Sequence, residues 1–226
     1  MKIILSGGGS GEQTEEIDNL FASLLDKSKS LIYIPIAIDK FRHSYPECLK
    51  FIKSTFEKLG IKKYELISEK ELGTLSEKEL SNVGGIYIGG GNTAYLMKTL
   101  KESTAWNFLK KAAKSDIPIY GGSAGAIILA KTILPSMPSD GNFVGLEDLS
   151  GMNLLNGKDI WCHYKEENEE KILQFIEKNN LQDVILLSES TGLFINENQI
   201  KVMGKIPAKR IKNKLITVIK SQDKIN

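Results

Sequence analysis

The sequence predicts an α/β protein in which a mainly parallel sheet lies between two layers of helices. Short apolar runs alternate with longer segments whose apolar residues recur at helical spacing, from residue 2 to about residue 187. A glycine-rich turn follows three of the short runs. Because parallel strands are joined by right-handed helical crossovers, this alternation favours a three-layer α/β/α sandwich.

The composition of the chain is typical of a globular protein. Of its 226 residues, 41% are hydrophobic and 26% are charged, which excludes disorder as the general state. A chain of this length buries roughly 70–75% of its unfolded surface, enough for one large domain or two small ones. Because the sequence contains no internal repeat and no low-complexity stretch, we expect a single domain over residues 1–226.

The first half of the chain alternates strands and helices. Residues 2–6 are predicted as a buried strand, and the segment after them has its apolar residues on one face of a helix. Ser44 and Glu47 have the spacing of a capping box, which predicts the start of a helix that ends at Gly60. Further strands are predicted at residues 31–36, 63–66 and 85–88, and further helices at about 92–101 and 104–114.

The second half continues this alternation after one long interruption. Residues 117–120 are predicted as a strand, and the small and apolar residues 124–132 as a buried helix. Residues 133–158 contain irregularly spaced prolines and glycines, which predicts a functional loop region able to wall or cover a site. The remaining elements are a strand at 159–162, a helix at 166–179, a strand at 184–187, and an antiparallel hairpin from Thr191 that turns at Asn196, Glu197 and Asn198.

Nucleic acid and membranes are not expected as partners. The 30 Lys and Arg residues balance 28 Asp and Glu residues, so the chain has no global field that would hold a polyanion. No apolar run reaches the ~20 residues of a membrane helix, and the first run is too short for a signal peptide. We therefore expect a cytoplasmic chain, and a homodimer is an option that the sequence leaves open.

The cysteines do not predict a metal or redox centre. Cys48 and Cys162 are far apart and lack the paired spacing of a zinc site or of a C-x-x-C motif. We expect both to be reduced thiols. The chain contains two histidines, His43 and His163, which leaves few candidates for any mechanism that needs an imidazole.

Glycine-rich turns follow three predicted strands: the first glycine turn (residues 7–9), the second glycine turn (residues 89–91) and the serine turn (residues 121–125). In a parallel sheet all three lie at the carboxyl edge, where open α/β sheets bind ligands. The first glycine turn fails the dinucleotide fingerprint, because Glu12 stands where the third glycine is required, and the P-loop pattern is missing as well. We interpret this turn as a tight connection from strand to helix.

The serine turn matches G-x-S-x-G, the nucleophile elbow of hydrolases, between a predicted strand and a predicted helix. A serine held in such a turn needs neighbours without bulky side chains, and Gly121, Gly122, Ala124 and Gly125 meet this need. The helix that begins at Ser123 directs its dipole and the free amide of Ala124 toward a developing oxyanion. We therefore expect Ser123 to be a nucleophile rather than a helix cap.

The second glycine turn offers the other half of an oxyanion hole, because Gly90 or Gly91 can direct a backbone N–H into the same crevice. Asn92 and Thr93 follow this turn. A simple helix cap explains these two residues equally well. We also consider them candidates for substrate binding.

A nucleophilic serine needs a general base, and His163 is the better candidate. It follows a predicted strand at the same edge as Ser123, whereas His43 lies in a polar loop. This reasoning does not identify the residue that orients the imidazole. The candidate carboxylates are Asp140, Glu147, Asp148 and Asp159, which lie between the serine and the histidine, and Glu189, which follows the strand at 184–187.

The serine turn and the segment from Ile86 to Thr93 resemble the peptidase E family, which includes the cyanophycinases, and the order of elements is similar up to about Met203. The resemblance implies a flavodoxin-like, or class I glutamine amidotransferase-like, fold without a metal or organic cofactor. It implies a serine peptidase for a small peptide, of the Asp-X dipeptide type. Its site would comprise Ser123 as nucleophile, His163 as base, Glu189 as the orienting carboxylate, and the amides of Gly90, Gly91 and Ala124 as oxyanion donors.

The segment after His163 departs from that family. Many members have arginines there, suited to an acidic group, whereas this chain has Tyr164 and Lys165 followed by an acidic run at residues 166–170. That run would repel an aspartyl carboxylate if it faced the site, although Lys165 can supply one positive charge for substrate binding.

The departure leaves alternatives open. A non-enzymatic ligand-binding or regulatory protein on the same fold is one, and an esterase or amidase with the same triad is another. Glutamine hydrolysis is disfavoured, because the turn carries Ser123 where related amidotransferases use cysteine, and Lys165 stands where they have glutamate.

Overall fold

Two β-sheets form the framework of the chain in the computed structural model, which describes residues 1–197 and 199–225. The helices are α1 (Glu15–Leu24), α2 (Tyr45–Phe56), α3 (Thr93–Lys101), α4 (Ala105–Lys114), α5 (Ala124–Ile127), α6 (Met137–Asp140) and α7 (Glu169–Lys178). The strands are β1 (Lys2–Ser6), β2 (Ser30–Ile34), β3 (Tyr64–Leu66), β4 (Val83–Ile88), β5 (Ile119–Gly122), β6 (Asp159–Trp161), β7 (Asp183–Leu186), β8 (Thr191–Asn196), β9 (Gln199–Gly204), β10 (Ala208–Lys212), β11 (Leu215–Ile219) and β12 (Lys224–Ile225).

The larger sheet joins a parallel half to an antiparallel half. Over the described residues, its order is β12-β9-β8-β1-β5-β4-β2-β3. The strands from β1 to β3 in this order run parallel, while β8, β9 and β12 are antiparallel to their neighbours. The hairpin predicted from Thr191 is confirmed as β8 and β9, although Asn198 in its predicted turn lies outside the described residues.

Helices cover both faces of this sheet because its central strands are apolar on both sides. In β1, Ile3 and Leu5 belong to the core that packs against α3, α4 and α5, whereas Ile4 belongs to the core that packs against α1 and α2. Successive side chains of a strand point to opposite faces, so a continuously apolar strand serves two cores. The predicted three-layer α/β/α fold with a mainly parallel sheet and C-terminal antiparallel strands is confirmed.

The smaller sheet is a feature that the sequence did not predict. We expected residues 159–162 and 184–187 to continue the main sheet, but β6 and β7 form their own sheet in the order β11-β10-β7-β6. The helix α7 covers one face of this sheet, where Ile172 and Ile176 pack against Val184 and Leu186. The carboxyl ends of β6 and β7 nevertheless meet the end of β1, since the amide of His163 donates to the carbonyl of Gly7 at 2.9 Å.

The prediction of a helix over residues 124–132 is wrong in length, because α5 ends after one turn at Ile127. The reason lies in the following loop. The carbonyls of Ile128, Leu129 and Ala130 accept hydrogen bonds from the amides of residues 152–154, which replace those of a continuing helix. In the part of the chain that the structure describes, no helix has the length and apolar content needed to cross a bilayer.

Candidate active site

Ser123 sits in a strained turn between β5 and α5. Its backbone has φ 51° and ψ −111°, a conformation that few residues other than glycine adopt. The glycines of the turn make room for it: a Cβ on Gly121 would lie 2.5 Å from the carbonyl oxygen of Gly125, and one on Gly125 would overlap the backbone of Ile88. The Ser123 amide donates to the carbonyl of Ser6 at 3.0 Å, which ties the turn to β1.

The structure brings His163 to Ser123. The residue follows β6 with φ 53°, and its Nε2 lies 2.7 Å from Ser123 Oγ. His43, the other histidine, is exposed in the loop after β2, where its amide donates to Asp39. Of the two histidines, His163 is thus the one that the structure places beside Ser123, and its role as the base stays a prediction.

Glu189 is the carboxylate that the structure brings to the imidazole. Its Oε1 lies 3.2 Å from His163 Nδ1, and the hydrogen bonds from His163 and then Gln13 hold the pKa of Glu189 below its usual range. Among the alternatives, Asp140 accepts from Thr93, and Asp159 accepts from Thr132. The side chains of His163 and Glu189 are 49% and 42% exposed, so solvent screens their attraction, and orientation is the larger contribution of the pair.

Gln13 is a site residue that the sequence reasoning missed. Its Nε2 donates to Glu189 Oε2 at 3.1 Å, while its Oε1 accepts from the amide of Ser10 at 3.3 Å. The side chain thus fixes the second oxygen of the carboxylate that contacts His163. A glutamine more than 170 residues from its partner carries no local signal, so only the folded structure could identify it.

The first glycine turn has a function that we did not assign to it. A Cβ on Gly8, whose φ is +115°, would overlap the His163 ring and lie 2.8 Å from its Nδ1. A Cβ on Gly9 would lie 2.6 Å from the carbonyl oxygen of Glu189. The tight turn we predicted is present, and its missing side chains provide the space that the imidazole and the chain at Glu189 occupy.

The predicted oxyanion donors lie against Ser123. A Cβ on Gly90 would lie 3.1 Å from Ser123 Cβ, and Gly91 has φ +134° with no room for a side chain beside the carbonyl of Ala37. Within the described residues, the amides of Gly90, Gly91 and Ala124 donate to no other protein group. Because α5 has a single turn, the free amide of Ala124 matters more here than the helix dipole that we expected. Their role as oxyanion donors stays a prediction.

Asn92 and Thr93 contact protein groups. Asn92 accepts from the amide of Tyr95 as an N-cap and donates to the carbonyl of Asp140 at 2.7 Å. The fully buried Thr93 donates to the Asp140 carboxylate through both its amide and its hydroxyl, at 2.9 and 2.6 Å. These contacts fasten α3 to α6, and direct binding of substrate by either residue stays a prediction.

Ser123 is shared by two cavities in the described part of the chain. The larger has a volume of about 620 Å³ and is lined by residues of α7, of β6 and of the loop region at 133–158, from Pro135 to Asp140. The smaller, of about 260 Å³, is lined by the glycine turns and by Tyr33, Tyr87 and Tyr120. The loop region therefore contributes a wall beside the serine.

The acidic run after His163 does not line either cavity with a glutamate. Glu166 and Glu169 form ion pairs with Lys209 at 3.5 and 2.5 Å instead. Lys165 lines neither cavity, and its charge helps to keep the pKa of Glu189 low. The repulsion we considered is thus not realised in this arrangement, and binding of substrate by Lys165 stays a prediction.

No cluster of three or more potential metal ligands from His, Cys, Asp and Glu occurs in residues 1–197 and 199–225. Cys48 and Cys162 are free thiols, both buried. Burial raises the pKa of Cys162 well above its ordinary value, so its sulfur stays a thiol although it lies beside His163.

Comparison with known proteins places the chain among peptidases. The sequence model of peptidase family S51 matches residues 3–203. Peptidase E of Pasteurella multocida is 24% identical over 217 residues, which cover 90% of this chain and 89% of that protein. Peptidase E of Nostoc sp. is 25% identical over 198 residues, which cover 84% and 77%.

Solved structures show the same fold. A peptidase from an acI-B1 actinobacterium superposes with a TM-score of 0.75 at 18% identity, covering 100% of this chain and 96% of that one. A putative peptidase E of Listeria monocytogenes gives a TM-score of 0.70 at 21% identity, covering 90% and 98%.

Proposed function

Because the chain belongs to peptidase family S51 and is a peptidase, we propose that it hydrolyses short peptides through Ser123, His163 and Glu189 by a serine mechanism. One observation carries the proposal. The hydroxyl oxygen of Ser123, which sits in a strained turn with positive φ, lies 2.7 Å from Nε2 of His163. The other ring nitrogen of His163, Nδ1, faces the carboxylate of Glu189. Nucleophile, base and orienting group are the three parts that such catalysis requires.

The proton path follows from the two hydrogen bonds. With its Nδ1–H donating to Glu189, His163 has an unprotonated Nε2 that accepts the proton of Ser123 Oγ. The oxygen then attacks the peptide carbonyl carbon, and the C=O electron pair moves onto oxygen. Collapse of this intermediate breaks the C–N bond, and the imidazolium gives its proton to the leaving amine.

The resulting acyl-enzyme is hydrolysed by the reverse sequence. His163 takes a proton from water, the hydroxide attacks the ester carbonyl, and Ser123 leaves with the proton that the imidazole returns. Twice in the cycle a negative oxygen forms, and the free amides of Ala124 and of Gly90 or Gly91 are the donors that we assign to it. One such donor is typically worth about 3–4 kcal/mol of activation barrier.

Asp-X dipeptides are the first substrates to test, because the resemblance to the peptidase E family implies them. An esterase that forms the same acyl-enzyme would use the same residues. Comparing the hydrolysis of an ester and of a peptide that carry the same side chain distinguishes the two activities.

Ser123→Ala tests the proposal directly. We expect the variant to lose peptide hydrolysis while its free energy of unfolding stays within about 1 kcal/mol, because one partly exposed hydroxyl is removed. A fluorophosphonate should label the unmodified chain once, at Ser123, and should not label the variant. Ser23→Ala, which alters an exposed hydroxyl on α1, is the matched control and should behave like the parent chain.

Hydrolysis that survives Ser123→Ala would overturn the assignment of the nucleophile. Absence of both labelling and hydrolysis in the parent chain would overturn the proposed serine mechanism.

A further inference from the structure

The walls of the larger cavity beside Ser123 are mainly apolar. Its volume of about 620 Å³ lies within the range of small-ligand cavities, about 300–1,000 Å³, and exceeds what an aspartyl side chain fills. Trp161 and Phe175 meet edge to face there, with ring centroids 5.5 Å apart. The apolar lining residues are Ile127, Pro135, Pro138, Trp161, Ile172 and Phe175.

The polar groups of the 133–158 wall already have protein partners. The Ser136 hydroxyl donates to the carbonyl of Ile133 at 2.8 Å. The Ser139 hydroxyl has two acceptors within reach of its one proton, the carbonyl of Ser136 at 3.1 Å and the Asp140 carboxylate at 2.9 Å. The Asp140 carboxylate also accepts from the amide and the hydroxyl of Thr93. A side chain that enters the cavity from a substrate therefore meets apolar surface and few unpaired polar groups on this wall.

The charged side chains that line the cavity include a carboxylate, that of Asp140, and an ammonium, that of Lys171, so they give an acidic occupant no excess of positive charge. Asp140, fixed by its hydrogen bonds, contributes a carboxylate to the wall, which repels a second carboxylate. Lys171 and Asn168 line the same cavity but are exposed. Because Lys171 is exposed, water screens the attraction of its ammonium for an acidic group, whereas its methylene stem adds apolar surface to the lining.

We infer that this cavity selects a large apolar side chain, preferably aromatic, at one of the two residues that flank the scissile bond. The inference rests on the proposed function and narrows its substrate class. Burial in the apolar cavity removes such a side chain from water, and the ring pair of Trp161 and Phe175 offers it edge and face contacts. An aspartyl residue at the same position gains little, because it loses hydration beside Asp140.

Dipeptides that differ at one position measure this selection. We would compare kcat/KM for Ala-Ala, Phe-Ala, Ala-Phe, Asp-Ala and Ala-Asp with the full chain. One Phe dipeptide should be cleaved about 10- to 100-fold faster than Ala-Ala, the range expected for burying one large apolar side chain. It should also exceed the Asp dipeptide substituted at the same position, and the position that responds identifies the side of the bond that enters the cavity.

Two variants of residues that line the cavity test which property of its wall is responsible for the selection of the side chain. Phe175→Ala should lower kcat/KM for the preferred Phe dipeptide about 5- to 20-fold more than it lowers kcat/KM for Ala-Ala, because only the larger side chain reaches the aromatic pair. Lys171→Met keeps the stem and removes the charge, so the preferred dipeptide should change by less than about threefold. Lys178→Met, on the same helix but away from the cavity, is its matched control.

A binding readout separates failure of this inference from failure of the proposed function. N-acetyl-phenylalaninamide should slow fluorophosphonate labelling of Ser123 at a lower concentration than the α-amide of N-acetyl-aspartic acid, which keeps its side-chain carboxylate. Three results would overturn the inference and leave the serine mechanism standing. They are labelling that the aspartyl compound slows more than the phenylalanyl compound does, an Asp dipeptide that is cleaved fastest of the five, and a tenfold decrease in kcat/KM of Lys171→Met for the preferred dipeptide. A chain that is not labelled at all would overturn the proposed function, and this inference with it.

Discussion

The first glycine turn and the serine turn end neighbouring parallel strands, with Ser6 of β1 opposite Gly122 of β5, yet they serve the site in different ways. The serine turn carries the proposed nucleophile, Ser123. Its glycines are needed by the turn itself and by the adjacent strand, since Gly121 packs on the carbonyl of Gly125 and Gly125 packs on Ile88 of β4. The first glycine turn carries no reactive side chain, and its glycines are needed by His163 and Glu189, which come from the ends of β6 and β7.

The difference explains why one turn is recognisable in the sequence and the other is not. A nucleophile elbow is local, so its serine and its glycines appear together within five residues. The first glycine turn is defined by what packs on it, and those residues lie more than 150 positions further along the chain. A glycine that makes room for a distant side chain looks like any other turn glycine.

Gly8→Ala should produce the largest effect, because it breaks the packing that defines the first glycine turn. The added methyl group would overlap the His163 ring, and φ +115° is strained for alanine. Displacing a catalytic group by about 1 Å costs on the order of 100-fold in rate, so we expect kcat/KM to fall by about 100-fold or more.

Gly11→Ala is the control for that experiment. Gly11 also has a positive φ, of +59°, but nothing lies within 4 Å of the position of its Cβ. It should lose some stability and keep most of its activity. Equal activity losses in the two variants would show that backbone strain, and not space for the imidazole, explains Gly8.

Gln13→Ala should have an intermediate effect on the same half of the site. The variant removes the hydrogen bond to Glu189 Oε2 and leaves the one between Glu189 and His163. A hydrogen bond to a charged group is worth about 1.5–3 kcal/mol at most, and exposure reduces it here, so we expect about a tenfold decrease in kcat. KM should stay within about twofold, because Gln13 lines neither cavity beside Ser123.

Steady-state kinetics of Gln13→Ala beside Glu12→Ala, its exposed neighbour, test this role. A decrease confined to KM, or an equal decrease in both variants, would contradict the assignment of Gln13 as a residue that positions Glu189.

Asp18→Asn should have the smallest of these effects, and this effect is on stability. The variant tests the contact between the helix after the first glycine turn and the strand before the serine turn. Asp18 lies on α1 after the first glycine turn, and burial raises its pKa to about 6 against hydrogen bonds from Thr14 and from Tyr120 of β5. The folded chain binds the proton of the Asp18 carboxyl more tightly than the unfolded chain does. The contribution of this proton to the free energy of unfolding is therefore fully present below about pH 4 and is lost as the pH rises through about 6.

Replacement by Asn removes this titration. The free energy of unfolding of Asp18→Asn minus that of the parent should therefore rise by about 1–3 kcal/mol between pH 4 and pH 7.5, as urea titrations would measure. Asp26→Asn is the control with opposite sign, because hydrogen bonds from Ser28 lower the pKa of that exposed carboxyl. A difference that does not depend on pH would mean that Asp18 is ionised in both states.

Much of the larger sheet was predictable because its determinants are local. The capping box at Ser44 and Glu47 is present in the structure, and Gly60 ends the helical segment with φ +89°, as its position suggested. The alternation of apolar runs and amphipathic segments fixed the order of strands and helices. Where a distant segment competes for the backbone, as residues 152–154 do for the carbonyls after Ile127, the local pattern predicted too long a helix.

By itself, the sequence determined the order of elements, the three turns at the carboxyl edge and the place of Ser123 in a tight turn between a strand and a helix, because backbone sterics and apolar spacing act over a few residues. Only the tertiary structure decided which carboxylate meets His163, that Gly8 and Gln13 support the pair, and that an apolar cavity opens beside the serine. Those outcomes depend on a separate sheet that carries β6 and β7 to the end of β1. Contacts between segments so far apart depend on how the sheets pack, and no short motif encodes them.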